Sequence, residues 1–125
     1  MSAVLEVDGI HTSSGLSRAL FGVSLAVEAG QCVCLLGRNG VGKTTVMRSI
    51  MGLTPPAEGR VVWKGTAITG WRTDRVARAG IGFVPEDRRV FAELTVLENL
   101  DVARRAAGRG GRWTVEAVTG LFPKL

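Results

Sequence analysis

A mixed α/β fold is expected from three features of this 125-residue chain. A mostly apolar hexapeptide, Gln31-Cys32-Val33-Cys34-Leu35-Leu36, runs into a glycine-rich octapeptide and then into helical apolar spacing at Val46, Met47, Ile50 and Met51. Ahead of it, residues 5–10 and 19–27 have the make-up of strands. Behind it, Thr95-Val96-Leu97-Glu98 has the spacing of a capping box, the reciprocal hydrogen-bonding pattern that opens a helix.

In chain order, residues 5–10 (Leu-Glu-Val-Asp-Gly-Ile) alternate apolar and polar and suggest a half-buried strand. Residues 19–27 read as a second strand, antiparallel to the first, and Glu28-Ala29-Gly30 turns the chain into residues 31–36, a buried strand by its apolar content. Residues 45–51 read as a helix, and residues 52–59, with Pro55-Pro56, break structure. Val61, Val62 and Trp63 supply a strand over 60–64. Residues 73–79 suit a short helix ended by Gly80, and 81–84 a short strand stopped by Pro85. A loop over 86–93 precedes the Thr95-capped helix, whose face carries Leu97, Leu100, Val96 and Ala103. The glycine-rich stretch 107–111 breaks that helix, and 115–121 suggest another helical turn or two.

The length allows at most one domain, and a hydrophobic content of 46% suits a globular core. The formal charge is +5, and 13 of the 16 basic residues are arginine, scattered along the chain. No aromatic-interleaved basic patch is found, so no nucleic-acid partner is expected, and the arginines suit a solvated surface or a docking face. Cys32 and Cys34 stand at i and i+2 of one strand, poorly placed for a disulfide, and are expected as buried free thiols of a reducing cytoplasm. His11, the single histidine, is expected at the surface or a strand end. The N-terminus lacks a basic segment followed by an apolar run, and no apolar stretch is long enough to span a bilayer. Any membrane role is expected to come from docking on another chain.

The octapeptide Gly37-Arg38-Asn39-Gly40-Val41-Gly42-Lys43-Thr44 fits the phosphate-binding pattern G-x-x-x-x-G-K-[ST] at every specified position. Strand, glycine loop and helix in that order are what the pattern requires. Inward-pointing N–H groups at a helix N-terminus offer donors and a positive dipole end to the clustered charges of a nucleoside triphosphate. Glycine permits the turn and a close approach to phosphate. Lys43 is the candidate for the β- and γ-phosphates, and the Thr44 hydroxyl for Mg²⁺. Thr45 adds a hydroxyl on the α-phosphate side.

The order of parts resembles the ATP-binding subunit of ABC transporters. It rests on the strand pair, the loop Gly-Arg-Asn-Gly-Val-Gly-Lys-Thr-Thr, the connector Gly-Leu-Thr-Pro-Pro-Ala-Glu-Gly-Arg-Val, then Ile81-Gly82-Phe83-Val84-Pro85-Glu86 and Leu94-Thr95-Val96-Leu97-Glu98-Asn99-Leu100. The resemblance implies the N-terminal part of an ABC-type P-loop NTPase domain: an antiparallel β subdomain, an incomplete core sheet and the start of a helical subdomain. Residues 1–85 would form the β subdomain and phosphate-loop core, and 86–125 the Q-loop equivalent and the start of the helical subdomain. It implies ATP and Mg²⁺ as ligands, with Gly37, Arg38, Asn39, Gly40, Val41, Gly42, Lys43, Thr44 and Thr45 on the nucleotide and Thr44 and Glu86 toward the metal. Glu86 stands where most relatives carry glutamine; an ordinary solvated loop acid is the other reading. The run Val84-Pro85-Glu86-Asp87-Arg88-Arg89-Val90-Phe91 resembles importers of branched-chain amino acids, with urea or amide importers the alternative. Implied partners are transmembrane permease subunits and a second nucleotide-binding subunit, at the cytoplasmic face of the membrane.

Two departures qualify the resemblance. Relatives place an adenine-stacking aromatic before the first hairpin glycine, where this chain has Ser14 before Gly15 and no tyrosine anywhere. Stacking of that kind is worth about 1–3 kcal/mol, so ATP affinity is expected to fall roughly ten- to a hundredfold unless another side chain, with His11 a weak candidate, substitutes. The family's Leu-Ser-Gly-Gly-Gln signature, Walker B acids and switch histidine are not found in these residues. The chain by itself is therefore expected to bind ATP without hydrolysing it, or to serve as a non-catalytic interaction module.

Overall fold

The structure, a computed structural model, describes residues 3–38, 40, 42–87, 89–107 and 113–125. They form two compact units, the first ending at Phe83 and the second spanning Val84–Leu125.

The first unit is built on a four-stranded antiparallel sheet in the order β2-β1-β3-β4. β1 (Ala3–Ser14) and β2 (Ser17–Glu28) form a long hairpin, with Val7 opposite Leu25, Thr12 opposite Leu20 and Ser14 opposite Ser17. β1 outlasts the expected strand because residues 11–14 are polar and hide the alternation, although Thr12 is fully buried. β3 (Glu58–Trp63) pairs with β1, and a two-residue strand, β4 (Thr66–Ala67), pairs with β3. The turn between them, Lys64-Gly65, holds both residues at positive φ, the hairpin geometry usually signalled by Asn-Gly. That substitution explains why β4 escapes a sequence reading.

Two helices complete the unit. α1 (Lys43–Ile50) buries Val46, Ser49 and Ile50, the i, i+3, i+4 stripe that a core-facing helix presents. α2 (Thr73–Arg78) buries Val76 and ends before Gly80, as its breaker dictates. Trp63 Nε1 donates to the Ala79 carbonyl at 2.9 Å, tying β3 to the end of α2. The core joins Val7, Ile10, Leu20 and Val61 with Val46, Ile50 and Met51, and with Ile68 and Val76.

Two expected strands do not form. Residues 31–36 and 81–84 run without a ladder partner among the described residues. Leu35 still packs half-buried against the core, but Cys32, Val33, Cys34 and Leu36 are exposed. The thiols expected to be buried are therefore open. Apolar content marks a segment that could be covered, whereas a strand needs neighbouring backbone to pair with. His11 also departs from expectation. It sits inside β1, three residues before the strand's end, half-buried, with Nε2 3.7 Å from the Glu58 carboxylate.

In the second unit, α3 (Val96–Ala107) opens with the expected capping box. Thr95 Oγ1 accepts from the Glu98 amide at 3.1 Å, and Glu98 Oε1 accepts from the Thr95 amide at 3.2 Å. The Asn99 side chain accepts from the Phe91 amide at 2.9 Å and donates to the Phe91 carbonyl at 3.1 Å, holding the preceding loop on the helix. α4 (Val115–Leu121) is capped by Thr114, which accepts from the Ala117 amide at 3.1 Å. Leu100 and Ala103 line a groove with Val115 and Val118, whereas Val96 and Leu97 face solvent, so the apolar face expected for this helix divides. The expected break at 107–111 falls almost wholly outside the described residues. Among the described residues no helix is long and apolar enough to cross a membrane.

Candidate functional site

The glycine loop lies between the open segment 31–36 and α1, and the hairpin supports it from below. Gly40 and Gly42 have φ of 87° and 106°. Gly42 is also the N-cap of α1, and a Cβ there would stand 2.8 Å from Leu20 Cδ2 and 3.1 Å from the Ala19 carbonyl oxygen. Glycine is thus required twice, by the left-handed backbone and by the strand pressed against it.

α1 starts with no side-chain cap and no acid in its first turn. Among the described residues its first intrahelical bond runs from the Val46 amide to the Gly42 carbonyl at 3.0 Å. The amides of Lys43, Thr44 and Thr45 lie ahead of that bond, where a helix N-terminus has donors without intrahelical acceptors. Lys43 Nζ donates to the Gly37 carbonyl, so its ammonium bridges the loop from end to end. Thr44 is exposed; Thr45 is half-buried, and its carbonyl accepts from Ser49 Oγ at 2.7 Å. Arg38 is exposed beside the loop. Asn39 and Val41 lie outside the described residues.

These features fit a polyphosphate. The helix end carries a positive partial charge, a lysine is already drawn over the loop, and the first turn holds no carboxylate to repel an anion. The Thr44 hydroxyl is a hard oxygen of the kind Mg²⁺ prefers. The structure thus brings together Gly37, Gly42 and Lys43, with Thr44 and Thr45 adjoining.

Glu86 belongs to the second unit, where it is exposed in a turn after Pro85. Next to it Arg89 Nε pairs with the Asp87 carboxylate at 2.9 Å, and Val90 and Phe91 are exposed. Arg88 is outside the described residues. Ser14, at the position where the resemblance implies a stacking aromatic, closes the hairpin opposite Ser17, and His11 lies on β1 opposite Phe21.

Sequence reasoning missed the residues under the loop: Ala19, Leu20, Thr12 and Ser49. A signal existed for two of them. Thr12 follows Ile10 at strand spacing and Ser49 follows Val46 at helical spacing, so both polar residues stand at core-facing positions.

The profile of the ABC transporter family matches residues 20–121. The high-affinity branched-chain amino acid transport ATP-binding protein BraG of Pseudomonas aeruginosa is 35% identical over 130 aligned positions, covering 98% of this chain and 53% of that protein. Nod factor export ATP-binding protein I of Rhizobium meliloti is 36% identical over 124 positions, covering 99% of this chain and 35% of that protein. Among solved structures, an ATP-binding cassette of an ABC transporter matches with a TM-score of 0.71 and 30% identity, over 100% of this chain and 47% of the other. A dimeric bacterial ABC transporter cassette matches with a TM-score of 0.74 and 26% identity, over 90% of this chain and 52% of the other. The chain spans about half the length of these relatives, or less.

Proposed function

The chain belongs to the ABC transporter family, and on that premise we propose that its glycine loop holds the phosphates of Mg-ATP within the ATP-binding component of an ABC importer. The observation that carries this reading is the loop itself: a left-handed Gly42 at an uncapped helix start, with Lys43 reaching back to Gly37. In this role the loop amides and Lys43 hold the phosphates, and the Thr44 hydroxyl takes a place on Mg²⁺. Residues 86–125 act as the Q-loop equivalent and the start of the helical subdomain.

For cargo we propose branched-chain amino acids. The support is the run from Val84 to Phe91 together with the likeness to the Pseudomonas protein. Similar identity to the Nod factor export proteins favours a second reading, an export cassette. The partners are transmembrane permease subunits and a second cassette, at the cytoplasmic face of the membrane. Phosphoryl transfer to water needs a positioned nucleophile, and the family's signature, Walker B acids and switch histidine are not found in these residues. The isolated chain therefore binds Mg-ATP without turning it over.

Thermal melting of the purified chain with and without Mg-ATP, alongside a phosphate-release assay, tests this. The reading expects a raised midpoint and no release above background. An unmoved midpoint at millimolar Mg-ATP refutes binding, and turnover that Lys43→Ala abolishes refutes the non-catalytic part. Cargo is tested by uptake of labelled leucine and labelled urea in cells with and without the gene; loss of leucine uptake alone is the expected result, and unchanged leucine uptake contradicts it.

A further inference from the structure

Thr12 and Ser49 are buried polar residues, 0% and 1% exposed, beside an otherwise aliphatic core. Their hydroxyl oxygens lie 2.9 Å apart, and Ser49 Oγ lies 2.7 Å from the Thr45 carbonyl. A carbonyl only accepts, so the single proton of Ser49 goes to Thr45. Thr12 must then supply the proton between the two hydroxyls. The relay has one direction: Thr12 to Ser49 to Thr45.

A second contact meets the same helical turn. Leu20, the cross-strand partner of Thr12, is one of the atoms' owners that exclude a Cβ at Gly42. One rung of the hairpin therefore grips the start of α1 twice. Leu20 presses on Gly42, and Thr12 reaches Thr45 through Ser49. Between these points lie the amides of Lys43, Thr44 and Thr45.

We propose that the Thr12–Leu20 rung aims the phosphate loop, with Thr12 a positioning residue that acts through Ser49. The inference rests on the ATP-binding reading and adds to it a part of the hairpin that touches no phosphate. If Thr12 only filled space, valine would replace it without loss, since the two side chains have nearly the same shape.

Thr12→Val removes the donor and leaves the Ser49–Thr45 bond in place. Ser49→Ala cuts the relay in its middle. Thr12→Ser keeps the hydroxyl. Affinities for Mg-ATP and for Mg-tripolyphosphate are measured by calorimetry well below each variant's melting midpoint, so that lost stability alone does not move them. Amide exchange at Val46 is measured on the free proteins. Thr12→Val is expected to weaken both ligands by a similar factor, about three- to tenfold, as one neutral hydrogen bond carries, and to speed Val46 exchange. Ser49→Ala is expected to do at least as much, and Thr12→Ser to bind as wild type does. Lys43→Ala separates the two ideas. If wild type and Lys43→Ala bind alike, the ATP reading falls and this proposal with it. If Lys43→Ala loses binding while Thr12→Val and Ser49→Ala keep wild-type affinity and exchange, the rung has no aiming role and the ATP reading stands.

Discussion

Replacing Gly42 with alanine should unseat the loop and destabilise the first unit together. The residue is held at φ 106°, and an added Cβ would lie 2.8 Å from Leu20 Cδ2 and 3.1 Å from the Ala19 carbonyl oxygen. Left-handed backbone costs an L-residue about 1–2 kcal/mol. Forcing a methyl into a packed site costs about 1–3 kcal/mol more. The Ala19 oxygen is backbone and cannot rotate away, whereas the Leu20 methyl can give only into a core in which Leu20 is 2% exposed. The sum, about 2–5 kcal/mol, is a large share of the 5–15 kcal/mol typical of a folded domain. Urea denaturation followed by tryptophan fluorescence reads it, because Trp63 and Trp71 pack against the core of this unit. A double variant with Leu20→Ala should recover part of the loss, since it removes the methyl contact but neither the carbonyl contact nor the backbone strain; the coupling should be about 0.5–2 kcal/mol. A loss within about 0.5 kcal/mol of zero for Gly42→Ala, the range of ordinary surface changes, would refute the seating argument.

Three further outcomes are expected. Cys32 and Cys34 are exposed, so both thiols of the native chain should react with a disulfide reagent nearly as fast as in the unfolded chain; protection of either one contradicts the open segment. Asp101 accepts from Arg104 and faces Arg105, at 2.6 and 2.7 Å, and the Arg104 hydrogen bond is the main cause holding its carboxyl below the ordinary 3.8. A lowered folded value means the stabilisation is complete above pH 3.8 and disappears as pH falls below it, so α3 helicity should decline there, and Asp101→Asn should flatten that part of the circular-dichroism titration. Thr95→Ala removes the oxygen that accepts from the Glu98 amide and should cost α3 about 1 kcal/mol in denaturant unfolding, while an unchanged transition would show the capping box to be idle.

Local signals in the sequence were reliable wherever a residue type forces a local geometry. The pattern from Gly37 to Thr44 implied a loop followed by a helix, and Thr95 with Glu98 implied a capped start; both are present with their hydrogen bonds. The strand pair was legible from residues 5–10 and 19–27, although its polar end was not. Signals that depend on distant neighbours were not legible. Residues 31–36 have the composition of a buried strand, yet composition says nothing of which backbone would pair with them, and none among the described residues does. Thr12 and Ser49 look like surface residues by type, and only their register on strand and helix brings the two hydroxyls together in the core. His11 was misplaced for a similar reason, because its partner Glu58 lies on β3, far along the chain.

The central claim is that Gly42, Lys43 and the amides at the start of α1 form a working phosphate site. Calorimetric titration of the purified chain and of Lys43→Ala with Mg-ATP tests it most directly. Removing the ammonium that now bridges to Gly37 deletes a charge-assisted contact worth about 1.5–3 kcal/mol, so affinity should fall about ten- to a hundredfold or become unmeasurable. Equal affinity in the two proteins would mean that nucleotide, if bound at all, is held elsewhere.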